Sequence, residues 1–219
     1  MQTLNDRRNR SGCRILIAGT GGQGVLTAAR LLCDCFLELD HQVVSGQLHG
    51  MAQRGGAVQS SVIIDGGISP VIPSGRADFV VGFEPVETAR ALSFMSSHTV
   101  VYINTAPVIP FVLAQRAVLK EGEAEYPDVQ QLTDRIRSVA PNTFLFDATQ
   151  YAAEAGSIKA LNMVMLGCLL GSGCLPCTAD SFWNIVSKRI PPAMKETNTK
   201  AFMKGVEFAA ELQVGGGTR

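Results

Sequence analysis

The chain has 219 residues, a length at which one domain can bury a substantial core. Its 19 Lys and Arg residues balance its 19 Asp and Glu residues, so no net positive charge attracts a nucleic-acid backbone or an anionic membrane surface, and neither is expected as a partner. Hydrophobic residues make up 46% of the sequence, but no stretch offers the roughly 18 uninterrupted apolar residues that a membrane span needs.

Both ends of the chain are predicted to be flexible. Residues 1–13 are polar, carry three arginines and lack the apolar stretch of an export signal. We therefore expect a soluble, cytoplasmic protein with a flexible N-terminal tail. Residues 14–212 contain no recognisable linker and are predicted to form a single domain, and residues 213–219 are predicted to form a second flexible tail.

The chain opens with a strand, a glycine loop and a helix. Residues 14–18 form an apolar, β-branched run followed by glycines, which indicates a buried first strand. Residues 19–24 read GTGGQG, and from about 22 to 39 the apolar residues recur at steps of three and four, as one face of a helix requires.

An antiparallel excursion is predicted next. Residues 42–45 give a second strand, and residues 49–56 are rich in glycine and polar side chains and are predicted to be a loop. Residues 57–64 and 68–72 are predicted to pair as a hairpin around Asp65-Gly66, because this dipeptide tolerates the positive φ angles of tight turns.

The rest of the chain alternates and then becomes helical. Strands are predicted at 78–82, 99–103 and 143–146, and helices at 84–95, 128–140, 161–170, 181–190 and 195–212. The order predicts an α/β fold: a doubly wound, mostly parallel, Rossmann-like sheet with an antiparallel hairpin and a helical C-terminal third.

The glycine loop satisfies the pattern G-x-G-x-x-G with Gly19, Gly21 and Gly24. Between a strand and a helix this pattern lets the backbone approach a phosphate at the helix N-terminus. An acidic residue that would bind an adenine ribose is missing at the end of the second strand, where the sequence reads VSGQ, so NAD is disfavoured. Alternatively, the glycines only let the helix pack tightly on the sheet.

The loop HGMAQRGG, residues 49–56, is the most distinctive segment. It follows a strand at the carboxyl edge of the predicted sheet, where ligands bind in open α/β folds. Arg54 could hold a phosphate or a carboxylate with two hydrogen bonds, and His49 could titrate near neutral pH. Equally, the loop could be a structural turn or a subunit contact, and a non-catalytic role is favoured for His49.

The six cysteines do not predict a metal centre. Cys174 and Cys177 form a CxxC pair before a predicted N-cap at Thr178, but the pair follows a helix, so structural cysteines are favoured over a redox dithiol. Cys33 and Cys35 point to different faces of one helix. No further CxxC and no histidine cluster is present, so neither a zinc site nor an iron–sulfur cluster is expected on this chain.

Several segments, in their order and spacing, resemble one known family. They are GTGGQGV at 19–25, HGMAQRGG at 49–56, SPVIP at 69–73, AD at 77–78, GFEP at 82–85, NMVMLG at 162–167 and NTKAF at 198–202. Together they resemble the gamma-type domain of 2-oxoacid:ferredoxin oxidoreductases over nearly the whole chain. Within that family the HGMAQRGG loop is similar to the small (beta) subunits of the indolepyruvate type. The CLPC segment is not part of the resemblance.

The resemblance implies a subunit of an oxidoreductase that is inactive alone. The reaction would be the oxidative decarboxylation of an aryl 2-oxoacid to an acyl-CoA, with electrons passed to ferredoxin through the complex. Thiamine diphosphate and the iron–sulfur clusters would lie on a large partner subunit, with coenzyme A as a substrate and no cofactor held tightly by this chain. The residues expected to line the cleft are Gly19, Gly21, Gly22, Gln23, Gly24, His49, Gln53, Arg54, Gly55 and Gly56.

Two other functions stay open. The chain could be a stand-alone nucleotide-binding module, as the glycine pattern suggests, or a purely structural subunit. No catalytic residue is assigned, and the preferred 2-oxoacid and the stoichiometry do not follow from the sequence.

Overall fold

The structure is a computed structural model and describes residues 12–49, 55–108 and 126–215. The strands are β1 Cys13–Thr20, β2 Val43–His49, β3 Ala57–Ile64, β4 Phe79–Gly82, β5 Val100–Asn104 and β6 Asn142–Phe146. The helices are α1 Val25–Glu38, α2 Pro85–Arg90, α3 Val129–Val139, α4 Ala148–Glu154, α5 Leu161–Gly171, α6 Ala179–Val186 and α7 Pro192–Gly215. Two 3-10 turns add Ala91–Phe94 and Ile158–Ala160.

The strands form one mixed sheet in the order β2-β3-β1-β4-β5-β6. β1, β4, β5 and β6 are parallel neighbours, whereas β3 runs antiparallel to both β1 and β2. The carboxyl ends of every strand except β3 therefore meet at one edge of the sheet. The predicted α/β, mostly parallel fold is confirmed.

The predicted hairpin partner of β3 is wrong. Asp65 does make the turn, with φ 51°, but residues 68–72 form no strand. Both sides of β3 are already occupied, because Ile64 pairs with Cys13 of β1 and with Val43 of β2. The antiparallel hairpin is therefore made by β2 and β3, and the chain after the turn leaves the sheet.

Helices cover both faces of the sheet. Alternate residues of β1 supply the two cores: Ile15 and Ile17 pack with α1 and the C-terminal helices, and Leu16 packs on the opposite side in a cluster that includes Ile136 of α3. This alternation follows from the two-residue period of a strand. The helical C-terminal third lies on the α1 side.

Helix α5 is at the centre of that side. Its residues 161–170 are all buried, so the helix is apolar all round instead of having one apolar face. It packs closely on α7, because a Cβ at Gly167 would overlap the carbonyl oxygen of Phe202 and a Cβ at Gly205 would overlap that of Val164. The glycines let the two backbones touch.

Other differences from the sequence prediction are local. The helix after Glu84 gives way at Arg90 to a 3-10 turn, and α4 and the second 3-10 turn were not predicted. The last helix extends to Gly215, three residues beyond its predicted end. Within the described ranges, no helix has both the length and the apolar character for a membrane crossing. The predicted tails lie outside the described residues at 1–11 and 216–219.

Candidate functional site

The glycine loop lies at the carboxyl edge of the sheet, between β1 and α1. Gly22 and Gly24 have φ angles of 103° and 88°, which side-chain-bearing residues rarely adopt. Gly24 is the residue that begins α1. The loop thus turns sharply from the strand into the helix, as the sequence predicted.

Gln23 ties this loop to the neighbouring strand. Its side-chain oxygen accepts hydrogen bonds from the Thr20 backbone amide at 2.7 Å and from the Thr20 hydroxyl at 3.0 Å. Its amide nitrogen donates to the carbonyl oxygen of Phe83, just after β4, at 2.9 Å. Gln23 therefore uses its polar atoms to hold the shape of the loop.

The glycines of the motif differ in role. A Cβ at Gly19 would lie 2.7 Å from the Cβ of Phe83, so this glycine serves packing, as the alternative interpretation proposed. A Cβ at Gly22 would meet nothing within 4 Å, and Gly22 is exposed. Only the later part of the loop is open to a ligand.

The end of the HGMAQRGG loop meets the glycine loop. The Gly21 amide donates to the Gly56 carbonyl at 2.9 Å, and the Gly55 amide donates to the Gly21 carbonyl at 3.4 Å. His49 is the last residue of β2, at the same edge. Residues 50–54 lie outside the described residues, so the assignments of Gln53 and Arg54 stay predictions.

A cleft of about 590 Å³ opens beside the glycine loop, between α1, α5 and the start of α7. Its walls are mostly apolar and include Leu31, Val108, Ile158, Leu161, Met163, Ile190, Pro191 and Met194. Its polar lining consists of Gln23, Thr27, Thr149, Lys159, Asn162, Arg189 and Asn198, with the backbone of Gly22 and Gly24. An apolar cleft with a few polar groups is typical of ligand sites.

Two asparagines in the cleft are in contrasting states. Asn198 is buried and donates to the carbonyl oxygen of Met194 at 2.8 Å. Asn162 is only 8% exposed, yet its amide has no hydrogen-bond partner within residues 12–49, 55–108 and 126–215. Its Cβ lies 3.2 Å from the position that a Cβ on Gly24 would occupy. Asn162 thus sits over the start of α1 with its bonding capacity unused.

The two cations of the cleft also differ. Arg189 donates to Glu38 at 2.8 Å and lies 3.8 Å from Asp34, so its charge is balanced. Lys159 is exposed and has no ion pair with a described residue. Lys159 is therefore the cleft cation that is free to meet an anion.

The start of α1 is also favourable for an anion. Side chains cap other helices: Glu84 caps α2, Asp128 caps α3, Asp147 caps α4 and Thr178 caps α6. At α1 the N-cap is Gly24, no side chain accepts a hydrogen bond, and the first turn holds no acidic residue. The first amides of a helix and its dipole attract negative charge when no side chain satisfies them.

A buried polar network supports the site from the next strands. Asn104, at the end of β5, donates to the Phe83 carbonyl oxygen at 3.0 Å and to the Thr149 hydroxyl at 3.0 Å. The Phe83 carbonyl also receives the Gln23 amide. Thr149 lines the cleft, so the hydrogen-bonded chain connects the glycine loop with its opposite wall.

The cysteines are structural, as the sequence favoured, but their pairing is different. Cys174 and Cys177 are both buried, and the Cys177 sulfur is hydrogen-bonded to Cys35 of α1, which lowers the pKa of Cys177 and raises that of Cys35. Burial raises the pKa of Cys168. Within the described ranges, no three His, Cys, Asp or Glu residues are grouped so that they could bind a metal.

Sequence analysis missed Asn162 and Lys159 as cleft residues. The available signal was the lone amide in an otherwise apolar segment, LNMVMLG, since a polar residue on a helix buried all round needs a partner. Lys159 gave no signal, because a single exposed lysine is common on any surface.

A family model named Pyruvate ferredoxin/flavodoxin oxidoreductase matches residues 14–208. Indolepyruvate oxidoreductase subunit IorB of Pyrococcus horikoshii is 34% identical over 200 residues, which cover 90% of this chain and 96% of that protein. 2-Oxoglutarate synthase subunit KorC of Archaeoglobus fulgidus is 44% identical over 198 residues, with 90% and 88% covered.

A solved structure gives the same fold. The 2-oxoglutarate:ferredoxin oxidoreductase of Magnetococcus marinus, with 2-oxoglutarate, coenzyme A and succinyl-CoA bound, superposes with a TM-score of 0.67 at 16% identity and covers 93% of this chain and 32% of that one. The chain belongs to the pyruvate ferredoxin/flavodoxin oxidoreductase family, as one of the small subunits.

Proposed function

We propose that the chain is the small subunit of an indolepyruvate-type 2-oxoacid:ferredoxin oxidoreductase. The complex would convert an aryl 2-oxoacid and coenzyme A to carbon dioxide and an acyl-CoA, and the electron pair left by decarboxylation would pass to two oxidised ferredoxins with release of a proton. The identity to IorB over 90% of the chain supports this substrate class.

The contribution of this chain is a cleft for coenzyme A. The observation that carries this assignment is the cleft of about 590 Å³ with the uncapped start of α1 on one side and Lys159 on another. Gly22, Gln23 and Gly24 form part of its lining, and Arg54 is proposed as a further anion clamp. Coenzyme A combines phosphates with a long, weakly polar arm, which suits a cleft with apolar walls and few charges.

The electron-handling groups are assigned to a large partner subunit. The six cysteines of the chain lack the spacing of cluster-binding motifs. Thiamine diphosphate, when bound on the partner, would supply the carbanion chemistry. Ferredoxin would dock on the complex, and the small subunit would reside with its partner in the cytoplasm.

The proposal is tested by reconstitution. Mixing the chain with its thiamine-bearing partner should give dye reduction that requires both a 2-oxoacid and coenzyme A, and that neither subunit shows alone. No gain on mixing contradicts the proposal. Tight binding of NAD, FAD or ADP to the isolated chain would favour a nucleotide-binding module instead.

A second arm of the same assay decides the substrate. The 44% identity to KorC favours 2-oxoglutarate as an alternative 2-oxoacid. An indolepyruvate-type enzyme should show a higher kcat/KM for indolepyruvate than for 2-oxoglutarate. The reverse order would reassign the substrate. Arg54→Ala should raise the KM for coenzyme A, and an unchanged KM and kcat would leave the loop without a binding role.

A further inference from the structure

Asn162 is a buried amide that awaits a partner. It is 8% exposed and lines the cleft, and no described residue bonds to it. A buried polar group without a hydrogen bond costs free energy, so the few that occur in native structures commonly meet a ligand or water. The neighbouring Asn198 shows that the cleft can satisfy an asparagine internally when it needs to, through the Met194 carbonyl.

The position of Asn162 indicates the charge of that partner. Its side chain lies directly over Gly24, where α1 begins without a side-chain cap or an acidic residue. An anion held by the first amides of α1 would be within the same corner of the cleft, where the NH₂ group of Asn162 can donate to it. Lys159 adds an unbalanced positive charge, since Arg189 is already paired with Glu38.

Resting on the proposed function, we infer that Asn162 and Lys159 complete a subsite for a phosphate group of coenzyme A at the start of α1. Asn162 donates a hydrogen bond to a phosphate oxygen, and Lys159 contributes charge from the cleft rim. The apolar wall on the far side of the corner, which includes Met163 and Met194, leaves room for the pantetheine arm.

The test is a substrate-trimming cycle on the assembled complex. Wild type, Asn162→Ala and Lys159→Met are compared with coenzyme A, with dephospho-coenzyme A and with pantetheine, which lacks both phosphate positions. Asn162→Ala should lower kcat/KM for coenzyme A by roughly 10- to 100-fold and leave kcat/KM for pantetheine unchanged, because hydrogen bonds to charged groups are the strong ones. Lys159→Met should have a smaller effect that shrinks as salt is added.

The trimmed substrates identify which phosphate is held. If dephospho-coenzyme A is as sensitive to Asn162→Ala as coenzyme A, the contact is to the diphosphate. If it is insensitive, the contact is to the 3′-phosphate. Both results support the subsite. An equal loss with pantetheine overturns it, as does a raised KM for the 2-oxoacid with no change for coenzyme A, which would assign the corner to the substrate carboxylate.

Matched variants separate binding from folding. Asn162→Asp keeps the size of the side chain but places an acidic group beside the phosphate, so its loss with coenzyme A should exceed that of Asn162→Ala while pantetheine turnover persists. Asn184→Ala on α6 and Lys200→Met on α7, both exposed and outside the cleft lining, should leave all three substrates unaffected.

Failure of the inference differs from failure of the proposed function. A wild-type complex that needs no coenzyme A, or that uses it no better than pantetheine, contradicts the proposed cleft. A wild-type complex that prefers coenzyme A, with a preference that Asn162→Ala and Asn162→Asp retain, contradicts only the assignment of Asn162.

Discussion

At the scale of single residues, the carboxyl edge of the sheet holds two buried glutamates with different states. Glu84 caps α2 by accepting from the Glu87 amide at 2.9 Å, and it also accepts the Tyr126 hydroxyl. Glu87 is 5% exposed and receives Arg90 at 3.0 Å on one oxygen, while its second oxygen has no partner. Burial, with a smaller contribution from Glu84, raises the pKa of Glu87 above its usual value against the opposing effect of Arg90.

This pKa shift predicts a pH-dependent stability. Because the pKa of Glu87 is raised on folding, its contribution is fully present below the unfolded pKa, near 4.5, and is lost as pH rises through the folded value. Glu87→Gln removes the titration. The free energy of unfolding of wild type should therefore fall relative to that of Glu87→Gln between pH 4 and pH 7, as measured by urea denaturation. Parallel curves, or the opposite trend, contradict this account.

Identical letters in the glycine motif have different physical causes. Gly19 is required by the approach of Phe83, whereas Gly22 is required by its φ of 103°. The pattern predicted a strand, a turn and a helix correctly because these depend on neighbouring residues. It could not separate packing from ligand roles, since these depend on Phe83 and Asn162, which are distant in sequence.

At the scale of elements, the contact between α5 and α7 holds one wall of the cleft. Gly167 and Gly205 let the two backbones approach to the point where a Cβ on either would overlap a carbonyl oxygen of the other helix. Gly171 repeats the contact one turn later, since its Cβ would lie 2.9 Å from the Cα of Val206. The start of α7, with Met194 and Asn198, is positioned over the cleft by this packing.

We expect Gly205→Ala to be destabilising despite the better helix propensity of alanine. Propensity favours alanine by about 1 kcal/mol, but overpacking against backbone costs about 1–3 kcal/mol or more. The exposed Met203→Ala on the same helix should change stability by less than about 0.5 kcal/mol. Thermal and urea denaturation of both variants checks this, and a Gly205→Ala protein as stable as wild type would mean that the helices are not in backbone contact.

Strand pairing set the limit of prediction at this scale. The position of each strand could be predicted from its apolar run, but β3 entered the sheet between β1 and β2, a choice made by contacts between distant residues. The turn at Asp65 suggested a local partner at 68–72 instead, where Ile68 is 85% exposed. Short helices such as α4 were missed because seven residues carry too little periodicity to indicate a face.

At the scale of the whole molecule, the fold gathers the ends of the parallel strands, the glycine loop and the start of α1 at one edge. The motifs recovered from sequence led to the family, and the family model spans residues 14–208. The cleft could not be read from the sequence, because its polar lining comes from α1, α5, α7 and the turns between them. The central claim is that this cleft binds coenzyme A when the small subunit is in its complex.

Hydrogen exchange on the assembled complex, with and without coenzyme A, tests this claim most directly. The amides of residues 21–27 begin α1 without a side-chain cap, so they should exchange readily in the free complex and slow when a phosphate accepts their hydrogen bonds. We predict slower exchange in this segment on addition of coenzyme A. Unchanged exchange at 21–27, with protection confined to the partner subunit, would contradict a coenzyme A cleft on this chain.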